Sequence, residues 1–411
     1  MRLLVQKFGG TSVESKESRR HVIRKIKEAL EQRYKVLVVV SALGRKPNPY
    51  ATDTLVEMVD PPKTKNEKRE FDLLMSVGEI ISSTVLANEL RREQIKAVAL
   101  TGAQAGLITT DDYTEAKIKQ VKPKRIQQEF KSNDVVVVAG FQGRTEEGEI
   151  TTIGRGGSDT SAAAFAASLK ASYIDIFTDV NGIMTADPRL VKSAQPIDVV
   201  TYTEICNLAY QGAKVIHPRA VEIAMQAEVP IRIRSTYSKD FGTLITTSRP
   251  STFGVDIPDR LVTGIAHMDR ISQVKVLQKE DDVISQAKVF ATMAEANISV
   301  DFINVSPTEI TFTVPNEIAD YAAELLRDLN YTVSVTKDCA KVSAVGAGMT
   351  GIPGVAAKIT KALTDVGVKV LQSADSHTTI WVLVKQSEMN KAVNALHEAF
   401  ELNKVNHKKQ V

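Results

Sequence analysis

The chain has 411 residues, 43% of them hydrophobic and 25% charged, with 52 Lys and Arg against 49 Asp and Glu for a formal net charge of +3. That length allows two or three domains with full cores, and the near balance of charge argues against a nucleic-acid or membrane-surface partner, the tail His407, Lys408, Lys409 being a short solvated end. Two cysteines, Cys206 and Cys339, imply no disulfide framework and suit the reducing cytoplasm; the N-terminus MRLLVQKFGG has too few apolar residues for a signal peptide, and no apolar run approaches membrane-spanning length.

In chain order, residues 3–6 form a short apolar run that stops at Lys7-Phe8-Gly9-Gly10-Thr11-Ser12. A helical pattern through Val22, Ile23, Ile26 and Leu30 follows, then the continuous run 36–40 closed by Ser41-Ala42. Strand, helix, strand with unbroken Val and Leu suits a parallel sheet covered on both faces. Residues 48–68, with Pro49, Pro61, Pro62 and many charges, read as a loop or lid-like insertion with some helix. Residues 71–90 are apolar at helical spacing and carry Gly78-Glu79; further strands are expected at 97–100, 135–139, 174–177 and 231–233. This alternation over about 250 residues predicts one doubly wound α/β domain.

After residue 245 the character changes. Residues 246–260, rich in Ser, Thr, Gly and Pro, read as a linker. Beyond it an internal repeat emerges at an offset of 70 residues: Ala287-Lys288-Val289 aligns with Ala357-Lys358-Ile359, Met293 with Leu363, and Ile310-Thr311-Phe312 with Ile380-Trp381-Val382. Each copy, 261–337 and 338–411, reads strand, helix, strand, strand, helix and a last strand, the βαββαβ order of a ferredoxin-like module.

The richest stretch is IGRGGSDTSAAAFAASL at 153–169. Gly156 and Gly157 free the backbone to turn, Ser158, Asp159, Thr160 and Ser161 offer capping side chains, and the alanine run has high helix propensity. Such a helix start presents unpaired N–H groups and a favourable dipole to an anion, and Arg155 adds a planar fork for a carboxylate or phosphate. Lys7 to Ser12 is a second glycine turn between strand and helix, with the Lys ahead of the glycines rather than in P-loop spacing. Ser41 ends the second strand, where ligands bind in open α/β sheets. The segment 178–189 follows another strand with an Asn181-Gly182 turn; Asp179, Asp187 and Arg189 there form either a ligand site or a local Asp–Arg pair. Lys214 stands beside a Gly-marked bend. Gly346 to Gly351 matches GxGxxG after a strand, but too little chain follows Asp375 to build a dinucleotide fold, so an amino-acid or interface role is favoured.

Together KFGGTS (7–12), VVSA (39–42), GRGGSDTS (154–161), FTDVNGIMTADPR (177–189) and LAYQGAKVIHPR (208–219) resemble the aspartate kinases of the amino-acid-kinase family, over essentially the whole chain, with two C-terminal modules similar to ACT domains. The resemblance is greatest to the Bacillus-type enzymes regulated by diaminopimelate. It implies transfer of the γ-phosphoryl group of ATP, brought with Mg²⁺, to the β-carboxylate of L-aspartate. By this resemblance Lys7, Asp159 and Lys214 are catalytic. Lys7, Phe8, Gly9, Gly10, Ser41, Thr178, Asp179, Met184, Asp187, Arg189 and Lys214 hold the nucleotide, although many relatives carry Tyr where Met184 stands. Ser41, Thr52, Glu79, Phe141, Arg155, Gly156, Gly157 and Ser158 hold L-aspartate, with Glu79 suited to the α-ammonium and Arg155 to the α-carboxylate. No dedicated metal ligands are assigned. Asn297, Ile298, Asp301, Gly351 and Val355 are expected to meet an end-product amino acid (diaminopimelate, lysine or threonine) where modules pair in a homodimer or higher oligomer. Two other readings stay open on residues alone: a related kinase of glutamate, N-acetylglutamate, carbamate or UMP, and a non-catalytic amino-acid sensor.

Overall fold

The computed structural model describes residues 2–213, 215–247, 261–277, 283–346, 349 and 352–404. It resolves into two compact units, one of residues 1–183, 196–209 and 214–255, the other of 184–195, 210–213 and 256–411.

The first unit is built on an eight-stranded sheet in the order Val199–Thr201, Thr243–Thr246, Ile231–Ser235, Tyr173–Thr178, Leu3–Phe8, Lys35–Val40, Val135–Ala139, Ala97–Leu100. All neighbours run parallel except Ile231–Ser235 with Thr243–Thr246. The central strands are buried almost throughout, as continuous Val and Ile runs require when both faces are covered. From Leu3–Phe8 the chain winds to one side through Lys35–Val40 and returns to the other through Tyr173–Thr178, so the topological switch flanks the strand carrying Lys7. The doubly wound α/β expectation is met. Beyond it lies a small four-stranded sheet of Ile118–Val121, Leu107–Thr109, Gln142–Arg144 and Ile150–Thr152, too short and polar to be legible.

The helix Lys65–Arg92 opens with a Thr64–Glu67 capping box and runs 28 residues. Contrary to the expectation that no apolar segment is long enough, by length and composition this helix could cross a bilayer. It packs in the fold instead, with Ser76, Glu79, Leu86, Ala87 and Leu90 among its buried residues.

In the second unit a six-stranded antiparallel sheet has the order Asp301–Val305, Glu309–Pro315, Gly264–Leu277, Thr332–Val345, Thr379–Lys385, Gln372–Asp375. The repeat holds at side-chain level: Val289, Met293, Ile298 and Phe312 bury in one core, and their equivalents Ile359, Leu363, Val368 and Val382 in the other. The expectation that the second copy ends in its own last strand needs correction. Among the described residues no strand follows the helix Met389–Ala399. That place is taken by the first half of Gly264–Leu277, which pairs with Val345 back to Lys341, while its second half pairs with residues 332–339. The second module is thus closed by the chain that enters the first. Residues 184–195 belong to this unit because Ala186, Val191 and Ala194 pack with Val262, Ile265 and Val342, and Thr185 hydrogen-bonds buried His397 at 2.9 Å. Of the GxGxxG stretch, four residues (347, 348, 350 and 351) lie outside the described residues; the strand before it has antiparallel neighbours on both sides, unlike a dinucleotide fold.

Candidate active site

At the carboxyl edge of the large sheet two hollows adjoin. One, of about 440 Å³, is lined by Ser41, Thr52, Phe71, Met75, Glu79, Thr114, Phe141 and the loop 154–159. The other, of about 360 Å³, is lined by Gly9, Gly10, Arg45, Asp53, Phe177, Thr178 and Asp179. Lys7, Ser41, Thr52 and Asp159 line both. Lys7 is the penultimate residue of its strand, flanked in register by Val39 and Ile176, and its Nζ lies 2.7 Å from Asp159 Oδ1.

The helix Gly157–Leu169 starts differently from the expectation of a side-chain cap. Its N-cap is Gly156 at φ +68°, and no side chain caps it. Thr160 and Ser161 hydroxyls instead donate backward to the carbonyls of Gly156 and Gly157, at 2.9 and 2.6 Å. Gly157 N–H donates to the Gly154 carbonyl at 3.0 Å, which leaves the Ser158 and Asp159 N–H groups of the first turn for a ligand. Glycine is required at 156: a Cβ would stand 2.2 Å from Cγ of His217, whose ring underlies the loop. Arg219 supports the same loop from below, donating to the Ile153 carbonyl at 3.0 Å. Burial lowers the His217 pKa.

Glu79 is the chemical centre of the first hollow. Gly78 lets its helix approach the Cβ of Ala42 and the carbonyl of Tyr50, which brings Glu79 Oε1 within 3.1 Å of the Ala42 N–H. The side chain is 2% exposed, and Oε2 has no partner among the described residues. Burial pushes its pKa up to about 8. A buried carboxyl with one free oxygen on an amino-acid-sized hollow suits an ammonium group.

A residue that sequence reading missed holds the far wall. Asp72 is fully buried and accepts the Thr114 N–H at 3.0 Å, the Thr152 N–H at 2.7 Å and the Thr152 hydroxyl at 2.6 Å. It ties Thr114, held at φ +74°, to the strand leading into the 154–159 loop, and burial raises its pKa. Lying seven residues before Glu79 on the same helix, it resembles any helical carboxylate until the fold closes.

The structure brings together most of the expected residues. Ser41, Thr52, Glu79, Phe141, Arg155, Gly156, Gly157 and Ser158 all line the first hollow, and Lys7, Gly9, Gly10, Ser41, Thr178 and Asp179 the second. Phe8 can offer a ligand only its backbone, since its side chain is buried and stacks on Phe177 at 4.7 Å. Met184, Asp187 and Arg189 fall in the other unit, where Arg189 pairs with Asp187 at 2.6 Å and holds its carboxyl below the usual range. Lys214 and Gly351 lie outside the described residues. Of the expected effector contacts, Asn297 and Asp301 are exposed, the latter paired with Lys341. Ile298 and Val355 instead turn into their module cores, which corrects any side-chain role for them.

A switch-point cleft that joins a glycine turn to an amino-acid-sized hollow, on a chain that also carries paired ferredoxin-like modules, is the arrangement of a small-molecule kinase with a built-in regulatory region. The Amino acid kinase family model matches residues 2–235, and an ACT domain model matches 334–398. Aspartokinase 1 of Bacillus subtilis is 58% identical over 404 residues, 98% of this chain and all of that one. Aspartokinase of Geobacillus stearothermophilus is 40% identical over 409 residues, 98% of each. In fold, Escherichia coli aspartokinase III, solved with aspartate and ADP, superposes with a TM-score of 0.77 at 24% identity over 97% of this chain and 99% of that one. The chain belongs to the aspartokinases of the amino acid kinase family.

Proposed function

We propose that the two hollows are the two substrate sites of an aspartate kinase, in which the β-carboxylate of L-aspartate attacks the γ-phosphorus of ATP to give 4-phospho-L-aspartate and ADP. The observation that carries the reading is that Lys7, Ser41, Thr52 and Asp159 line both hollows, so donor and acceptor meet across them.

A carboxylate with an ordinary pKa near 4 is already ionised at neutral pH, so the attack needs no general base. The work is in-line positioning and charge stabilisation. In this reading Glu79 receives the α-ammonium and Arg155 the α-carboxylate, which leaves the β-carboxylate facing Lys7. The Gly9-Gly10 turn, the open first turn of Gly157–Leu169, and Lys7, with Lys214 as a further cation, meet the phosphates. Asp159 fixes the Lys7 ammonium. Thr178 and Asp179 serve the nucleoside side, with Met184, Asp187 and Arg189 carried as further contacts on the strength of their motif.

Mg²⁺ supplies charge neutralisation on the triphosphate. Asp53 and Asp179 on the second hollow suit a hard cation, but among the described residues no cluster of three or more His, Cys, Asp or Glu is preassembled for a metal. By the resemblance the cation would be held mainly by phosphate and water. An end-product amino acid acting at the ACT modules is the regulatory part of the reading. The edge strand Asp301–Val305, with Ile303 and Val305 exposed, supports pairing of modules between two copies. The free thiols Cys206 and Cys339 suit a reducing cytoplasm.

The test is ADP release measured with L-aspartate, L-glutamate, N-acetylglutamate, carbamate and UMP as acceptors, for wild type and Lys7→Ala. Turnover with L-aspartate that Lys7→Ala abolishes supports the assignment; turnover confined to another acceptor, or none, overturns it.

A further inference from the structure

The second hollow holds a cation that neither motif nor resemblance assigned. Lys7 is engaged by Asp159 at 2.7 Å, and the other charged groups lining the hollow are Asp53, Asp179 and Arg45. Arg45 is exposed, and no described residue bonds its guanidinium. Its backbone, by contrast, is clamped. Gly44 N–H donates to the Gly10 carbonyl at 3.0 Å, which fixes the Arg45 loop to the glycine turn, and Asn48 N–H donates to the Arg45 carbonyl at 2.8 Å. Gly44 sits at φ +75°, and Asn48 packs on it so closely that a Cβ would stand 2.0 Å from Nδ2. The adjacent Lys46 is held by Glu57 at 2.5 Å, and Thr54 closes the loop with a 2.8 Å bond to the Asn48 carbonyl. The loop thus satisfies itself and leaves the Arg45 guanidinium without a partner among the described residues, on a hollow that the Gly9-Gly10 turn also lines.

A triphosphate carries more negative charge than Lys7, already partly neutralised, can meet. A planar fork on the rim matches two oxygens of a phosphoryl group. A donor aimed at the charge on the moving group lowers the barrier rather than merely aiding binding. The geometry points to Arg45 as a catalytic residue of the transfer: its guanidinium binds the γ-phosphoryl oxygens as the β-carboxylate oxygen bonds to phosphorus and the bridging bond to ADP breaks. This inference rests on the second hollow being the triphosphate site.

The experiment compares wild type, Arg45→Ala, Arg45→Lys and Lys7→Ala in kcat, KM for L-aspartate, calorimetric ADP affinity and melting temperature. Arg45→Ala is expected to lose about 100-fold in kcat. KM for L-aspartate and ADP affinity should move less than about threefold, because neither ligand carries the γ group. Arg45→Lys should recover part of the loss. An Arg45→Ala enzyme within threefold of wild-type kcat overturns the inference, as does an equal loss in both Arg45 variants with lowered melting temperatures. If Lys7→Ala also turns over normally, the phosphate-site reading falls too; if Lys7→Ala is dead while Arg45→Ala is normal, only the Arg45 role falls.

Discussion

The two hollows share four residues yet are built on opposite principles. The phosphate side presents backbone, a glycine turn and exposed charge, so its groups stay solvated until a ligand arrives. The amino-acid side places one carboxyl, Glu79, out of water on a hollow that Phe71, Met75 and Phe141 also line. A solvated site tolerates any polyanion and depends on Mg²⁺ and cations for strength. A dry carboxyl is unfavourable to ionise until a cation of the right size pairs with it, and that penalty is itself discrimination. Under the proposed assignment of the hollows, selectivity resides on the aspartate side and chemical rate on the phosphate side.

The comparison breaks most completely at the junction. Lys7→Ala is expected to lower kcat by about 10³-fold or more, since it strips the one ammonium that lines both hollows among the described residues and leaves Asp159 without its 2.7 Å partner; stopped assays of ADP release measure it. Next, Glu79→Gln separates the sides. KM for L-aspartate should rise about 100-fold while ADP affinity, read by calorimetry, stays unchanged. The same substitution should stabilise the ligand-free protein at pH 8. A carboxyl whose folded pKa is raised binds more protons folded than unfolded, so stability falls as pH climbs from the ordinary carboxylate value to about 8 and stays low above it. Gln removes that loss, worth on the order of 5 kcal/mol, and thermal melts at pH 5 and pH 8 check it: the variant's advantage should exist only at the higher pH.

The Glu79 proton also sharpens the contrast without mutation. Below pH 8 the free enzyme holds Glu79 neutral, and an ammonium ligand must expel that proton. Apparent affinity for L-aspartate should then weaken by up to about tenfold per unit as pH falls from 8 toward 6 and level off above 8. ADP affinity should lack this slope, and Glu79→Gln should flatten it. Titration calorimetry in buffers of different ionisation enthalpy would report the released proton directly.

How much of this was legible from sequence follows the same divide between local and non-local signals. The strands Ala97–Leu100 and Val135–Ala139 stand at their expected bounds because an apolar run bounded by polar turns is a local pattern. The repeat register survives at Val289 and Ile359 because burial recurs with the fold. The glycine turns and Arg155 were readable because their residue types are unusual in sequence. Asp72 was not, since three donors from segments 114 and 152 reach it only after folding. The closing strand of the second module was not either, because it precedes the first module in the chain. Ser158 to Ser161 invited a capping assignment, but a glycine in the left-handed region set the start of the helix instead.

The smallest effect worth seeking tests whether the loop beside Arg155 is held by sterics from beneath. Gly156→Ala forces an L side chain to φ +68° and drives its Cβ to 2.2 Å from the His217 ring. The left-handed strain costs about 1–2 kcal/mol, and relief of the clash must shift either the ring or the loop. Because the loop carries Arg155 and opens the helix toward the aspartate hollow, KM for L-aspartate should rise roughly five- to tenfold. ADP affinity should move less than KM for L-aspartate, since the Gly9-Gly10 turn sits on another element and only the first turn of Gly157–Leu169 is shared with the phosphates. Strain and clash are separable in a double-mutant cycle. His217→Ala empties the space under the loop, so Gly156→Ala/His217→Ala should recover the clash portion and keep the backbone portion. Strict additivity of the two substitutions would show that the ring does not support the loop.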